Sequence, residues 1–83
     1  MSLTDEEKFK RKIDNMLNQL SIENNISHQE AKKIYNDYLE AISDIGIDFI
    51  DSHFIFYFKL RMTMPKEKAF ADFKKFVYST PGL

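Results

Sequence analysis

Residues 47–62 read IDFIDSHFIFYFKLRM, and ten consecutive positions of this segment, 49–58, contain five of the chain's twelve aromatic side chains. On a helical wheel its apolar residues form two sectors and leave only a narrow polar strip. The broad sector comprises Ile47, Ile50, Phe54, Ile55, Tyr57, Phe58 and Met62, and the second comprises Phe49, Phe56 and Leu60. A helix that is apolar nearly all round has to be covered on more than one side. We therefore predict a central, aromatic-rich helix over residues 48–62.

An extended strand is the alternative conformation for residues 54–62. Phe54, Phe56 and Phe58 alternate with other residues in the two-residue period of a strand, and aromatic residues are enriched in strands. A lone strand has no sheet to join within this chain, so this alternative requires an intermolecular ribbon. We prefer the helix for that reason.

Local signals for helix starts and stops occur in the first half of the chain. Thr4 with Glu7, and Ser27 with Glu30, have the spacing of a capping box, in which side chains satisfy free backbone N–H groups at a helix start. Apolar residues recur at three- and four-residue steps after each box, as they do in one-sided helices. Gly46 stands where a left-handed residue would end the second helix.

The second half carries two further start signals. Asp48 is placed to cap the third helix, with Asp51 favourable near its positive end. Pro65 suits the first position of a last helix. The predicted helices are residues 5–20, 27–45, 48–62 and 65–78.

The composition agrees with a helical chain. Among 83 residues there are two glycines, two prolines and no cysteine, while 43% of the residues are hydrophobic and 30% are charged. So little glycine and proline argues against a turn-rich β architecture, and the lack of cysteine excludes disulfides and thiol chemistry. The sequence predicts a single all-α domain over residues 1–83, a small four-helix bundle, with residues 1–3 and 79–83 disordered or extended.

No pattern points to catalysis or to metal binding. His28 belongs to a polar helix start, and on a helical wheel His53 points roughly 140° or more away from both Asp48 and Asp51. These three side chains could not coordinate one metal ion from a single helix. Two glycines cannot build a phosphate-binding loop, and no serine stands in a nucleophile elbow. We expect no catalytic residue, metal, cofactor or small-molecule ligand.

The second apolar sector of the central helix is the candidate partner interface. Three one-sided helices cannot easily cover Phe49, Phe56 and Leu60 in so short a chain, and exposed apolar surface marks partner sites. A symmetric homodimer would cover the patch on each chain with that of the other. The alternative is that these side chains belong to the core. The sequence thus predicts a non-catalytic protein-interaction module, homodimeric or bound to another protein.

Charge is distributed unevenly along the chain, although the net charge is only −1. Residues 21–53 carry seven acids against two lysines, and residues 54–83 carry six bases against two acids. The candidate basic surface comprises Lys59, Arg61, Lys68, Lys74 and Lys75. Such a surface could contact nucleic-acid phosphates, so a nucleic-acid-binding regulator is an alternative function. Base-specific recognition has weak support, because only one arginine lies in this half.

A further expectation concerns the location of the protein. The polar start of the chain lacks the apolar core of a signal peptide, and the longest apolar run, residues 54–58, is too short to cross a bilayer. We expect a cytoplasmic protein without a membrane span.

The last helix is rich in lysine, with Lys66, Lys68, Lys74 and Lys75. In this feature, in size and in helical content, the chain resembles small bacterial bacteriocin-immunity proteins. That resemblance implies an immunity-like helical bundle as an alternative function.

Overall fold

The computed structural model describes residues 4–79, in which it contains four α-helices and no strand. The helices are α1 (Asp5–Asn24), α2 (His28–Ile45), α3 (Asp51–Thr63) and α4 (Lys66–Ser79). The predicted all-α class with four helices is confirmed, and residues 54–62 lie in α3 rather than in a strand. Ser79 ends α4, although the sequence placed it in an extended tail. The predictions for residues 1–3 and 80–83 lie outside the described residues.

The chain divides into two compact units, Met1–Lys33 and Ile34–Leu83, with the boundary inside α2. Their described parts are residues 4–33 and 34–79. The single domain predicted over residues 1–83 stays a prediction. All the candidate site residues belong to the second unit.

In the first unit, α1 begins and ends on side chains suited to those positions. The Oγ1 atom of Thr4 accepts a hydrogen bond of 3.2 Å from the backbone N–H of Glu7, as the capping spacing predicts. The helix continues one turn beyond the predicted end at Leu20 and stops at Asn25, whose φ of 54° is left-handed. Asparagine tolerates that conformation better than most residues do. The asparagine at position 25 therefore determines where α1 ends.

The second helix has the boundaries that its local signals predict. The Oγ of Ser27 accepts a 3.1 Å hydrogen bond from the backbone N–H of Glu30, and α2 follows directly. At its end Gly46 has φ of +86°, and the N–H groups of Gly46 and Ile47 both donate to the carbonyl of Ile42, at 2.8 and 3.0 Å. Glycine adopts this left-handed geometry without steric cost.

The start of α3 differs from the prediction. Residues 47–50 are not helical, and the cap residue is Ile50, in extended conformation and without a side-chain cap. Asp48 is exposed three residues before the helix, so the capping role predicted for it is wrong. The Tyr38 hydroxyl instead donates to the Ile50 carbonyl and accepts from the Ile50 N–H, both at 3.3 Å. A long-range contact thus replaces the local cap.

Aromatic rings from three helices form the core of the second unit. Tyr38 of α2 lies 5.3 Å from Phe54 and 5.9 Å from Tyr57 of α3, measured between ring centroids, and Tyr57 lies 5.6 Å from Phe73 of α4. These four side chains are fully buried, and so is Phe58. Burying a ring of this size stabilises a fold by about 1.5–3 kcal/mol. Within this unit α3 occupies the central position that the sequence predicts, because its rings contact both neighbouring helices.

Candidate functional site

Of the three residues of the predicted interface, Phe56 and Leu60 lie in α3, and Phe49 does not. Phe49 precedes α3, and its ring centroid lies 5.5 Å from that of Tyr38 and 6.0 Å from that of Phe54. Phe56 lies within α3, and its ring contacts α4, 4.5 Å from Phe76. The prediction that Phe49 shares a helical sector with Phe56 and Leu60 is therefore wrong. The helical wheel failed because residues 47–50 are not part of the helix.

A smaller apolar surface remains where α3 meets α4. It consists of Phe56, Leu60 and Phe76, and we call it the aromatic edge. Phe56 and Leu60 lie one helical turn apart and are half-buried, while Phe76 is 36% exposed. Phe76 belongs to the apolar stripe of α4, whose buried members are Ala69, Phe73 and Val77. Phe76 lies at the margin of that stripe, beside Lys75, and this position is the only sequence signal that distinguishes it from the buried residues of the stripe.

Opposite charges flank the aromatic edge. Lys59 follows Phe56 by three residues on α3 and is exposed, and Asp72 precedes Phe76 by four residues on α4 and is partly buried. Residues three or four apart share a helix face, so each charge lies beside one of the two rings. Neither side chain forms an ion pair within residues 4–79. The edge thus carries one unpaired charge of each sign.

Two of the predicted basic residues, Arg61 and Lys74, contact other side chains of the second unit. Arg61 is directed toward α2, where its Nη2 atom lies 3.4 Å from Oδ2 of Asp37. The ammonium of Lys74 lies 5.9 Å from the ring centroids of both Phe70 and Tyr78. Lys59, Lys68 and Lys75 are exposed. Nucleic-acid binding stays a prediction, and duplex binding that weakens with salt and on charge reversal of Lys68 and Lys75 would test it.

The two histidines have different environments. His28 is exposed at the first turn of α2. His53 is buried, and its ring centroid lies 5.8 Å from those of Phe73 and Phe76, in edge-to-face geometry. Within residues 4–79 no three His, Asp or Glu side chains are grouped so that they could hold a metal ion. His53 contributes to the packing between α3 and α4.

A cleft of about 810 Å³ lies among α2, α3 and α4, entirely within the second unit. Four carboxylates line it, those of Asp37, Glu40, Asp44 and Glu67. They face one ammonium, that of Lys66, so the lining has a formal charge of minus three. Apolar surface comes from Ala41, Phe70 and the ring of Tyr57. We call this the acidic cleft.

Ion pairs neutralise only one part of the acidic cleft. The Nζ of Lys66 lies 3.1 Å from Oε2 of Glu40 and 3.5 Å from Oδ1 of Asp37. Its hydrogen bond to Glu40 and the charge of Asp37 raise the pKa of Lys66. Asp44 and Glu67 form no ion pair within residues 4–79. The negative charge that is left therefore belongs to these two residues.

The inner wall of the acidic cleft holds one polar atom without a partner among the described residues, the hydroxyl oxygen of Tyr57. Tyr57 is fully buried, and its hydroxyl has no hydrogen-bond partner in the described part of the chain. Burial raises the pKa of Tyr57, and the nearby Asp37 charge adds to the rise while Arg61 and Lys66 oppose it. No sequence pattern marked this site, because its acids lie among other surface charges of α2 and α4.

Comparisons with known proteins leave the family open. No family model matches this chain, and neither a curated protein nor a solved structure is significantly similar to it. The resemblance to bacteriocin-immunity proteins therefore stays an interpretation of size, helix content and lysine-rich sequence. None of the helices within residues 4–79 is long and apolar enough to cross a membrane.

Proposed function

We propose that this protein is a non-catalytic helical module that binds protein, and that the aromatic edge binds a second copy of the same chain. The supporting observation is the pair formed by Phe56 and Phe76, whose centroids are 4.5 Å apart on a surface left partly open to solvent. Aromatic residues are enriched in the core of protein interfaces, where they supply large buried area. The pair would be the centre of the interface.

Charge complementarity favours a second copy as the partner. A two-fold axis through the aromatic edge would exchange its flanks, which carry Lys59 on one helix and Asp72 on the other. Each lysine would then meet an aspartate of the partner, and two charges that have no ion pair within residues 4–79 would each acquire one. A surface carrying charge of only one sign would repel its own copy.

Sedimentation equilibrium at about 100 μM protein tests the dimer, a concentration that fills sites with micromolar affinity. We expect a dimer for the natural chain and a monomer for Phe76→Asp, because an aspartate at the centre of the interface would lose its hydration without a partner. Tyr78→Asp is the matched control, since Tyr78 is 66% exposed on the same helix and lies outside the edge. It should remain dimeric. A natural chain that is folded and monomeric at this concentration would refute the proposal.

Charge reversal tests the orientation of the two copies. Lys59→Glu and Asp72→Lys should each weaken the dimer, because each places like charges opposite one another. The double variant restores unlike pairs and should recover the dimer. Helical circular dichroism of each variant separates lost association from lost folding. If the double variant is weaker than both single variants, the two residues do not face each other and the proposed two-fold packing is wrong.

We also propose a cytoplasmic location. The support is the composition, since a chain without cysteine makes no use of the disulfides that stabilise many small secreted domains. Fractionation of the native source with an antibody against the chain tests this. Recovery in the secreted fraction would contradict it.

A further inference from the structure

We propose that the acidic cleft binds a small organic cation, with an ammonium group at one end and an apolar body. This inference is independent of the dimer at the aromatic edge, because the two surfaces share no residue. The cleft volume of about 810 Å³ lies within the range of small-molecule sites. Its charge, its apolar wall and its unpaired hydroxyl each define one part of the ligand.

The charge of the lining selects a cation. Asp44 and Glu67 have no ion-pair partner within residues 4–79, and they lie on two of the three helices that border the cleft, α2 and α4. A cleft lined by charge of one sign focuses its field and concentrates ions of the opposite sign. Asp37 and Asp44, the outermost acids that α2 contributes, are seven positions apart, which corresponds to about 10 Å along the helix. That separation suits an extended organic cation better than a single metal ion.

The unpaired hydroxyl of Tyr57 selects a ligand that forms hydrogen bonds. Buried polar groups are nearly always hydrogen-bonded, and a group without a partner requires an explanation. The Tyr57 side chain is 0% exposed and lines the cleft from within, so its partner has to enter the cleft. A phenol oxygen accepts hydrogen bonds, and an ammonium group carries three N–H donors. The rings of Tyr57 and Phe70 offer aromatic surface to the apolar body of the ligand.

Lys66 occupies part of this site with its own ammonium. Its side chain is 49% exposed, and it lies against Asp37 and Glu40. The aliphatic stem and ammonium of lysine are the same chemistry as the proposed ligand. When Lys66 rotates toward solvent, an external ammonium can take its place beside these two carboxylates and reach the Tyr57 hydroxyl. Lys66 therefore competes with the ligand.

The probe is 2-phenylethylammonium, titrated into the full chain and followed by ¹H–¹⁵N correlation spectra, with neutral 2-phenylethanol as the matched control. We expect saturable shifts for residues that line the cleft with the amine and none with the alcohol. Tyr57→Phe and the double variant Asp44→Asn, Glu67→Gln should each weaken binding about tenfold, the usual effect of removing one charged hydrogen bond. Tyr57→Phe should stay folded, because the hydroxyl it removes has no hydrogen-bond partner within residues 4–79. Helical circular dichroism checks this.

Lys66→Met gives a prediction of opposite sign. Removing the resident ammonium should strengthen amine binding severalfold, whereas Lys68→Met, two residues further along α4 and outside the cleft lining, should change it little. The absence of saturable shifts in the natural chain would overturn the proposal. Shifts that persist unchanged in both Tyr57→Phe and the double acid variant would overturn it too. If the cleft resonances move with protein concentration alone, a lysine of a second copy fills the site and the small-cation proposal is wrong.

Discussion

The hydroxyl of Tyr38 exchanges two hydrogen bonds with the backbone of Ile50, donating to its carbonyl and accepting from its N–H, each at 3.3 Å. Ile50 is the cap residue of α3, and its own side chain cannot cap the helix. The bond from the Tyr38 side chain therefore fixes the chain where α3 begins. Tyr38 is fully buried, whereas Ile50 is 37% exposed.

Tyr38→Phe should lower the free energy of unfolding by about 1–3 kcal/mol, because it removes both hydrogen bonds to Ile50 and leaves the Ile50 N–H without its partner. The Ile50 carbonyl keeps its bond from the Phe54 N–H. Urea denaturation followed by circular dichroism measures the loss. Tyr57→Phe is the matched control, since it removes a hydroxyl that is buried but unpaired. Its free energy of unfolding should stay unchanged or rise. Equal losses in the two variants would mean that the bonds to Ile50 contribute nothing.

Gly46→Ala should destabilise the chain by about 1 kcal/mol, because φ at this position is +86° and an alanine there is strained. A Cβ added at Gly46 meets no atom within 4 Å, so the loss is due to the backbone alone. Gly46→Asn should lose less, because asparagine tolerates left-handed geometry. Thermal denaturation of the natural chain, Gly46→Ala and Gly46→Asn ranks their stabilities. An alanine variant as stable as the natural chain would show that the turn can adopt another conformation.

Asp37→Asn should destabilise the second unit by about 1 kcal/mol. Asp37 pairs with both Arg61 and Lys66, and its side chain is only 20% exposed. Glu40→Gln is the control, since Glu40 pairs with Lys66 alone and is 71% exposed. Exposed pairs contribute little, so the control should lose less than about 0.5 kcal/mol. Urea denaturation at low and high salt measures both variants, and a larger loss for Glu40→Gln would contradict this ranking.

Alkaline pH should destabilise the fold through its buried tyrosines. Burial raises the pKa of Tyr38 and of Tyr57 above the ordinary value of 10.0. Above pH 10 the unfolded chain loses these protons before the folded chain does, so the free energy of unfolding falls as pH rises. The contribution is complete below pH 10 and is lost as pH rises through the raised pKa values.

Denaturation at a series of pH values above 10 measures this slope, which has a limit of about 1.4 kcal/mol per pH unit for each tyrosine. Tyr57→Phe removes one titrating group and should make the slope shallower. Identical slopes in this variant and the natural chain would exclude Tyr57 as a contributor.

Local signals in the sequence were reliable where the partner group is close along the chain. Thr4 and Ser27 bond to backbone N–H groups three residues away, and Gly46 ends α2 through its own φ angle. These interactions depend on residue type and spacing alone. Residue type and spacing were therefore enough to predict where these helices begin and end, and to predict the all-α class.

The prediction failed where the deciding contact is distant. Asp48 had the right residue type for a cap, but α3 starts three residues later, where Tyr38 reaches Ile50 across 12 positions. Arg61 was expected on a basic surface, but it pairs with Asp37, which lies 24 positions earlier. Periodicity within one helix contains no information on such pairs. The acidic cleft was hidden for the same reason, because three separate helices assemble it.

The fully buried positions of Tyr38 and Tyr57 have a practical consequence for spectroscopy. The chain has no tryptophan and four tyrosines, so its near-ultraviolet absorbance depends largely on tyrosine. When the fold opens, two of these four chromophores move from an apolar interior into water. Second-derivative absorbance thus follows folding without a label, and it reports on the second unit, where both of these tyrosines lie.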